Sequence, residues 1–284
     1  MKKVLACVQG ATYDTCVGDY AVWAAQQLGV SLEFLHVLDR HPERPTVVDL
    51  SGNLALGAQE TLLAELAALD EQRSGLAQRQ GRALLDAALS RAKSRWPGVV
   101  EGRQRHGQRV ESLLDLQAET RLLVLGQHQP SVQQPRPFLD SDVERVIRAV
   151  QRPALVVSAP FKTPQHFALA FDGSATGCNM VETVATSPLL RGQTCTLVMA
   201  GLDSADAARQ LDWAETTLAA AGFAVIIHTI AEGLEAVLPG YLASCGADLL
   251  VMGAYGHSRI REFIVGSTTT ALLRTAPVPV LILR

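Results

Sequence analysis

The stretch VMGAYGHSRIREFIVGSTTTALLR, residues 251–274, decides how this chain folds. An apolar run stops at Gly253, a loop with Gly253 and Gly256 three apart follows, and a helix-opening signal stands at Gly266, Ser267 and Thr268. Strand, loop and helix in that order form the repeating unit of a parallel sheet covered by helices. Working outward, short β-branched runs recur at Val4–Val8, Leu32–Leu38, Val99–Arg103, Leu122–Leu125 and Leu155–Val157. They recur again at Phe167–Phe171, Thr196–Met199, Phe223–His228, Leu249–Met252 and Val278–Leu283, and all ten read as strands. Between them lie patterns such as Ala21, Ala24, Ala25, Leu28 and Leu211, Ala214, Leu218, Ala221, whose spacing gives each helix one apolar face. The expectation is an α/β fold of two tandem five-stranded, mainly parallel open sheets flanked by helices.

The two halves carry the same marks in the same order, which is the sign of a duplication. Gln9-Gly10-Ala11 closes the first strand of one half and Asp172-Gly173-Ser174 that of the other. RLLVLG at 121–126 parallels DLLVMG at 248–253, and RPALVV at 152–157 parallels VPVLIL at 278–283. The seam falls in SAPFKTP, 158–164, where two prolines and no periodicity mark a linker. This divides the chain into domains over 1–158 and 165–284. The first carries an insertion over about 40–97, with a Pro-rich loop at His41–Pro45 and a long helical stretch from Gly57 to Arg95. Gly75 and Gly81 lie inside it, each costing about 1 kcal/mol against alanine, so a break or kink is expected there. Leu62, Leu66, Leu69 and Leu76 form its apolar stripe, which at this spacing is expected to pack over its own domain rather than to serve as a partner-binding arm.

Composition removes several classes of function. The 284 residues are 48% hydrophobic and 19% charged with a net charge of −3, so no basic excess favours nucleic acid or an anionic membrane. The apolar run Val4–Val8 is too short for a secretory leader and no stretch is long and apolar enough to span a bilayer, which points to the cytoplasm. Five cysteines without C-x-x-C spacing read as reduced thiols. The seven histidines form neither H-x-x-x-H nor H-E-x-x-H, and no nucleophile–base pair can be placed by spacing, so no metal ligand or catalytic residue is assigned.

The loop over 253–268 has the chemistry of an anion site. Gly253 and Gly256 let main-chain amides approach a phosphate with no Cβ in the way, and the amides of Gly266, Ser267 and Thr268 open a helix with its positive dipole end behind them. The hydroxyls of Ser267 and Thr268 add donors, and His257, Arg259 and Arg261 outnumber Glu262. G-x2-G-x9-G-S, from Gly253 through Gly256 to Gly266-Ser267, resembles the ATP-binding signature of the universal stress protein family, and the two-half layout resembles its tandem members. The resemblance covers essentially the whole chain and implies a Rossmann-like fold of that family's type. It implies that Asp172, with Gly173 and Ser174, borders a nucleoside at the end of the first strand. It also implies that Val198 and Met199 offer backbone to the adenine edge, and that Met252, Gly253, Gly256, His257, Gly266, Ser267 and Thr268 enclose the phosphates. His257 and Arg259 stand where many members carry arginine and glycine. The implied ligand is ATP or a related adenine nucleotide, with Mg2+ held mainly by phosphate oxygens and water.

The first half departs from that pattern. After Gly126 come His128 and a loop with Pro130, Pro135 and Pro137, each proline deleting an amide donor. Asp140 occupies the helix-opening glycine position with Asp142 close behind, where carboxylates satisfy the amides and repel phosphate, and Gln9 replaces the strand-end aspartate. The first half is therefore expected to be nucleotide-dead and structural or regulatory. The family resemblance further implies that Leu155–Val157 meets Val278–Leu283 across a pseudo-twofold axis, covering two apolar edges. Homodimerisation, with the helical insertion as one candidate surface, and an unidentified protein partner stay open. So do two other functions: a signalling scaffold that binds no nucleotide, and a slow ATPase.

Overall fold

A computed structural model describes residues 2–38, 56–127, 141–200, 205–230, 234–253 and 267–284. In the first half β1 (Lys3–Cys7), α1 (Asp14–Leu28), β2 (Leu32–Leu38), α2 (Leu56–Arg95), β3 (Val100–His106), α3 (Arg109–Leu116), β4 (Thr120–Gly126), α4 (Ser141–Ala149) and β5 (Ala154–Val157) follow in order. The second half runs β6 (His166–Phe171), α5 (Ala175–Thr186), a 3-10 turn (Pro188–Leu190), β7 (Thr194–Ala200), α6 (Ala205–Ala220), β8 (Ala224–Ile230), α7 (Leu234–Cys245), β9 (Leu249–Gly253), α8 (Ser267–Thr275) and β10 (Val280–Leu283). Every expected strand is present, with ends moved by a few residues.

The two five-stranded sheets are not separate. One ten-stranded sheet runs β3-β2-β1-β4-β5-β10-β9-β6-β7-β8, parallel within each half and antiparallel where β5 meets β10. Val280 faces Val156, Leu281 faces Leu155 and Ile282 faces Ala154, so the apolar edge of each half is consumed by the other. Strand alternation sends Val4, Ala6, Leu169, Val251 and Leu281 to one core and Leu5, Cys7, Ala168, Met252 and Ile282 to the other. Helices α1, α2, α5 and α6 cover the first face; α3, α4, α7 and α8 cover the second. Equivalent helices share a face while strand direction reverses at the seam, so the pseudo-twofold axis is perpendicular to the sheet. The carboxyl ends of the two strand sets consequently open on opposite sides of the molecule, placing one crevice of each half far from the other.

The linker is stapled rather than loose. Phe161 stacks edge-on to Tyr20 with ring centroids 4.8 Å apart, and Lys162 reaches Asp248 at 2.5 Å. Asp248 also accepts from the amides of Gln165 and His166, fixing where β6 begins beside β9.

Two expectations for the insertion are corrected. Helix α2 runs unbroken for 40 residues across Gly75 and Gly81. Gly81 is instead a contact point, because a Cβ there would fall on the side chains of His36 and Gln104. Beyond it Leu85 and Ala92 are buried against the sheet, but Leu66, Leu69 and Leu76 are 37%, 50% and 50% exposed and do not pack over their own domain; the side chain of Leu62 lies outside the described residues. The reason is length: at about 1.5 Å per residue α2 spans about 60 Å, while strands of this size span about 23 Å. Its first turns have no sheet beneath them.

Candidate functional site

The strand order puts the second half's reversal point between β6 and β9, with β7 on the far side of β6. In open α/β sheets a crevice forms at such a point, outside the carboxyl ends of the strands. Pairing between β6 and β9 stops at Ala170 and Met252, and past it Phe171-Asp172 and Gly253 flank the gap. Asp172, Gly173 and Ser174 follow the end of β6, Met252 and Gly253 close β9, and α8 begins at Ser267 as the helix-opening signal predicts. The sequence-predicted residues that are described therefore lie at or next to the carboxyl ends of the neighbouring strands β6, β7 and β9. Gly256, His257 and Gly266 lie outside the described residues, as do the side chains of Ser267 and Thr268 and the proline loop of the first half.

Asp172 is exposed and organises the local turn. Its Oδ1 accepts from the Ser174 amide at 3.0 Å and from the Ser174 hydroxyl at 2.7 Å. The Ser174 Oγ in turn accepts from the Gly177 amide at 3.0 Å, capping α5. Gly173 has φ +68°, a conformation that favours glycine, and the end of the Gln210 side chain lies against it. Val198 and Met199 are buried and paired on both sides, with Ala170 and Phe171 across one ladder and His228 and Thr229 across the other. Ala200 is the first β7 residue beyond the β6 pairing and is still paired with Ile230 of β8.

The glycines that end β4 and β9 separate the two halves most sharply. A Cβ on Gly253 would meet, among the described residues, only Thr176 Cγ2 at 3.6 Å, an ordinary contact. A Cβ on Gly126 would land on the ring of Tyr13. Tyr13 is buried and plugs the first crevice, and Leu84 of α2 lies over Gly10. Asp14 closes the loop from inside, its Oδ2 accepting from the amides of Gln9 at 2.9 Å and Gly10 at 2.6 Å. Burial raises the Asp14 carboxyl above its ordinary value, against the lowering effect of those amides. At the head of α4, Asp142 pairs with Arg109 at 3.1 Å. Sequence reasoning placed the obstruction of the first half in its proline loop and acids and missed Tyr13 and Asp14. Counting four and five residues from Gln9 and from Asp172 would have exposed them, since Thr176 and Gly177 stand in the matching places.

The remaining candidates are structural. The five cysteines are free, and burial pushes the thiols of Cys7 and Cys195 up to about 12. His166 bonds Thr196 at 2.7 Å, and His228 stacks on Tyr241. Among the described residues no cluster of three His, Cys, Asp or Glu side chains could hold a metal ion. No described helix is long and apolar enough to cross a membrane.

Comparison with known proteins agrees with this architecture. The model of the universal stress protein family matches residues 1–158 and again 166–284. The universal stress protein Slr1230 of Synechocystis is 31% identical over the full length of both chains. Among solved structures, a universal stress protein of Archaeoglobus fulgidus superimposes with a TM-score of 0.74 at 16% identity, covering 99% of this chain and 98% of its own. The functionally unknown protein PA1789 of Pseudomonas aeruginosa gives 0.63 at 15% identity, over 100% and 92%. With one family domain matched in each half, a full-length relative and a shared whole-chain fold, this chain belongs to the universal stress protein family.

Proposed function

We propose that this is a cytoplasmic stress-response protein that binds ATP, or a related adenine nucleotide with its Mg2+, in the crevice of the second half, while the first half serves as a structural or regulatory partner. The observation that carries the reading is the contrast between Gly253 and Gly126. Among the described residues no protein neighbour demands a glycine at 253, whereas Tyr13 demands one at 126. A glycine that no described neighbour requires suits close approach by a ligand, and the G-x2-G-x9-G-S spacing names a phosphate. Asp172 borders the ribose side, the strand end at Met199 and Ala200 faces the base, and the amides of Gly256, Gly266, Ser267 and Thr268, with His257, take the phosphates.

Equilibrium dialysis with Mg-ATP tests this on the intact protein and on Gly266→Asp, which copies the first half's Asp140. Binding of one nucleotide per chain, lost in the variant with the fold retained by circular dichroism, is expected. Absence of binding at millimolar nucleotide, or equal affinity in both proteins, overturns the reading and favours the nucleotide-free scaffold. Steady ADP release that Gly266→Asp abolishes would convert binding into slow ATPase activity.

A further inference from the structure

The projecting part of α2 has features that packing within the chain does not explain. Every residue from 64 to 74 is exposed, so about three turns of helix stand clear of the domain on all sides. A helix so placed should be polar all round, yet Leu66, Leu69 and Leu76 lie 37%, 50% and 50% exposed along it. Leu66, Leu69, Arg73 and Leu76 step by three, four and three, the spacing of a coiled-coil seam rather than of scattered surface leucines.

Charge along the same segment identifies the occupant. Between residues 64 and 82 the acids are Glu65, Asp70 and Glu71 and the bases are Arg73, Arg79 and Arg82, divided at residue 72 with no mixing. Among the described residues no ion pair within the chain engages any of the six. A parallel neighbour of like sequence would set acid against acid and base against base. An antiparallel copy reverses the gradient and sets the acidic end of each helix against the basic end of the other.

We propose that α2 pairs with α2 of a second copy of this chain as a short antiparallel coiled coil, its dyad passing near residues 71 and 72. In that register each Leu66 meets the other chain's Leu76 and each Leu69 packs on the stem of the other chain's Arg73. The Arg73 head lies beside the other chain's Asp70. Glu65 and Arg79 flank the seam, pair across it and repeat by symmetry, and Gln72 faces its own copy. The contact is isologous and closes at two chains, as a twofold interface must. It is separate from the β5–β10 seam, which is already complete inside one chain. The described seam, residues 64–80, is about 25 Å long, so association in the micromolar range is expected rather than an obligate dimer.

Sedimentation equilibrium of the full chain over a concentration series tests this, with a charge-swap set as its core. A concentration-dependent monomer–dimer equilibrium is expected. Leu69→Asp abolishes it, and because Leu69 is half exposed the variant keeps its thermal midpoint. Glu65→Arg and Arg79→Glu each weaken the dimer by about tenfold, while the double variant recovers most of the loss, a recovery that only a Glu65–Arg79 encounter between helices produces. Under oxidation, Gln72→Cys cross-links to itself where Glu65→Cys does not, which separates antiparallel from parallel pairing. A chain that is monomeric throughout the series overturns the proposal, as does a dimer indifferent to Leu69→Asp, which would place association elsewhere. Cross-linking through Glu65→Cys, or a monomer that binds lipid vesicles through α2, overturns it equally.

Discussion

At the scale of single residues, contact decides which glycine of α2 can be replaced. Gly75 and Gly81 share one helix and have the same intrinsic cost there, but only one is replaceable. A Cβ at Gly75 meets Arg79 Nη1 at 3.6 Å, the far end of a flexible side chain, so Gly75→Ala should stabilise by up to about 1 kcal/mol. At Gly81 the same methyl falls on His36 and Gln104, where α2 crosses β2 and β3, and His36 is held by its Nδ1 contact with the Val8 carbonyl at 2.9 Å. Gly81→Ala should therefore lose about 1 to 3 kcal/mol. Urea denaturation of both variants checks the opposite signs, and equal stabilisation would mean that the helix does not approach the sheet as described. Gly126→Ala should behave like Gly81→Ala, since its methyl meets the Tyr13 ring, whereas Gly253→Ala should leave stability nearly unchanged while weakening nucleotide binding. That pair separates a packing glycine from a ligand glycine in one experiment.

At the scale of elements, the linker and β9 meet at one carboxylate whose protonation can be followed. Burial opposes the charge of Asp248, but Lys162 and the amides of Gln165 and His166 outweigh it and hold the carboxyl below its ordinary value of 3.8. A group depressed in the folded state lends stability that is complete above the unfolded value and lost as pH falls through the folded one. Acid should thus weaken the linker–β9 joint from about pH 4 downward, and Asp248→Asn should flatten that limb while costing about 1 to 3 kcal/mol at neutral pH. Chemical denaturation between pH 2.5 and 7 checks both; an unchanged acid slope would remove Asp248 from the joint. Eight of the ten strands were legible because strands buried on both faces declare themselves by apolar, β-branched runs, the edge strands β3 and β8 being largely exposed, and α2 was legible because its pattern is long. Where α2 stops packing was not legible, because Leu85 and Leu69 look alike in sequence and differ only in whether a strand lies beneath. The site was legible where glycine spacing carries it. The plug in the first half was not, because Tyr13 acts on Gly126 from another element, at a sequence separation no local pattern reports.

At the scale of the whole molecule, the antiparallel β5–β10 pairing makes the two family domains one mechanical body. Both core faces draw side chains from both halves, and Gln127 donates across the seam to the Leu273 carbonyl at 3.1 Å. Neither half can lose its seam strand without exposing the other's edge, so unfolding should be a single cooperative event rather than two. Trp23, on α1 in the first half, and Trp213, on α6 in the second, report on the two ends. In variants that lack Trp96 and retain only one of these two tryptophans, the thermal midpoints should coincide. Leu155→Pro removes a ladder amide from β5 in the first half, at a cost of about 3 kcal/mol or more, and should lower the Trp213 midpoint together with that of Trp23. Nucleotide at a hundredfold excess over its dissociation constant adds about 2.7 kcal/mol to whatever unfolds with its site. If the ten-stranded sheet couples the halves, Mg-ATP bound beside Asp172 should raise the Trp23 midpoint as much as that of Trp213, although in the first half the Tyr13 ring occupies the space beside Gly126. A rise confined to Trp213 would mean that the seam transmits no stability, and the first half could not then sense occupancy of the second.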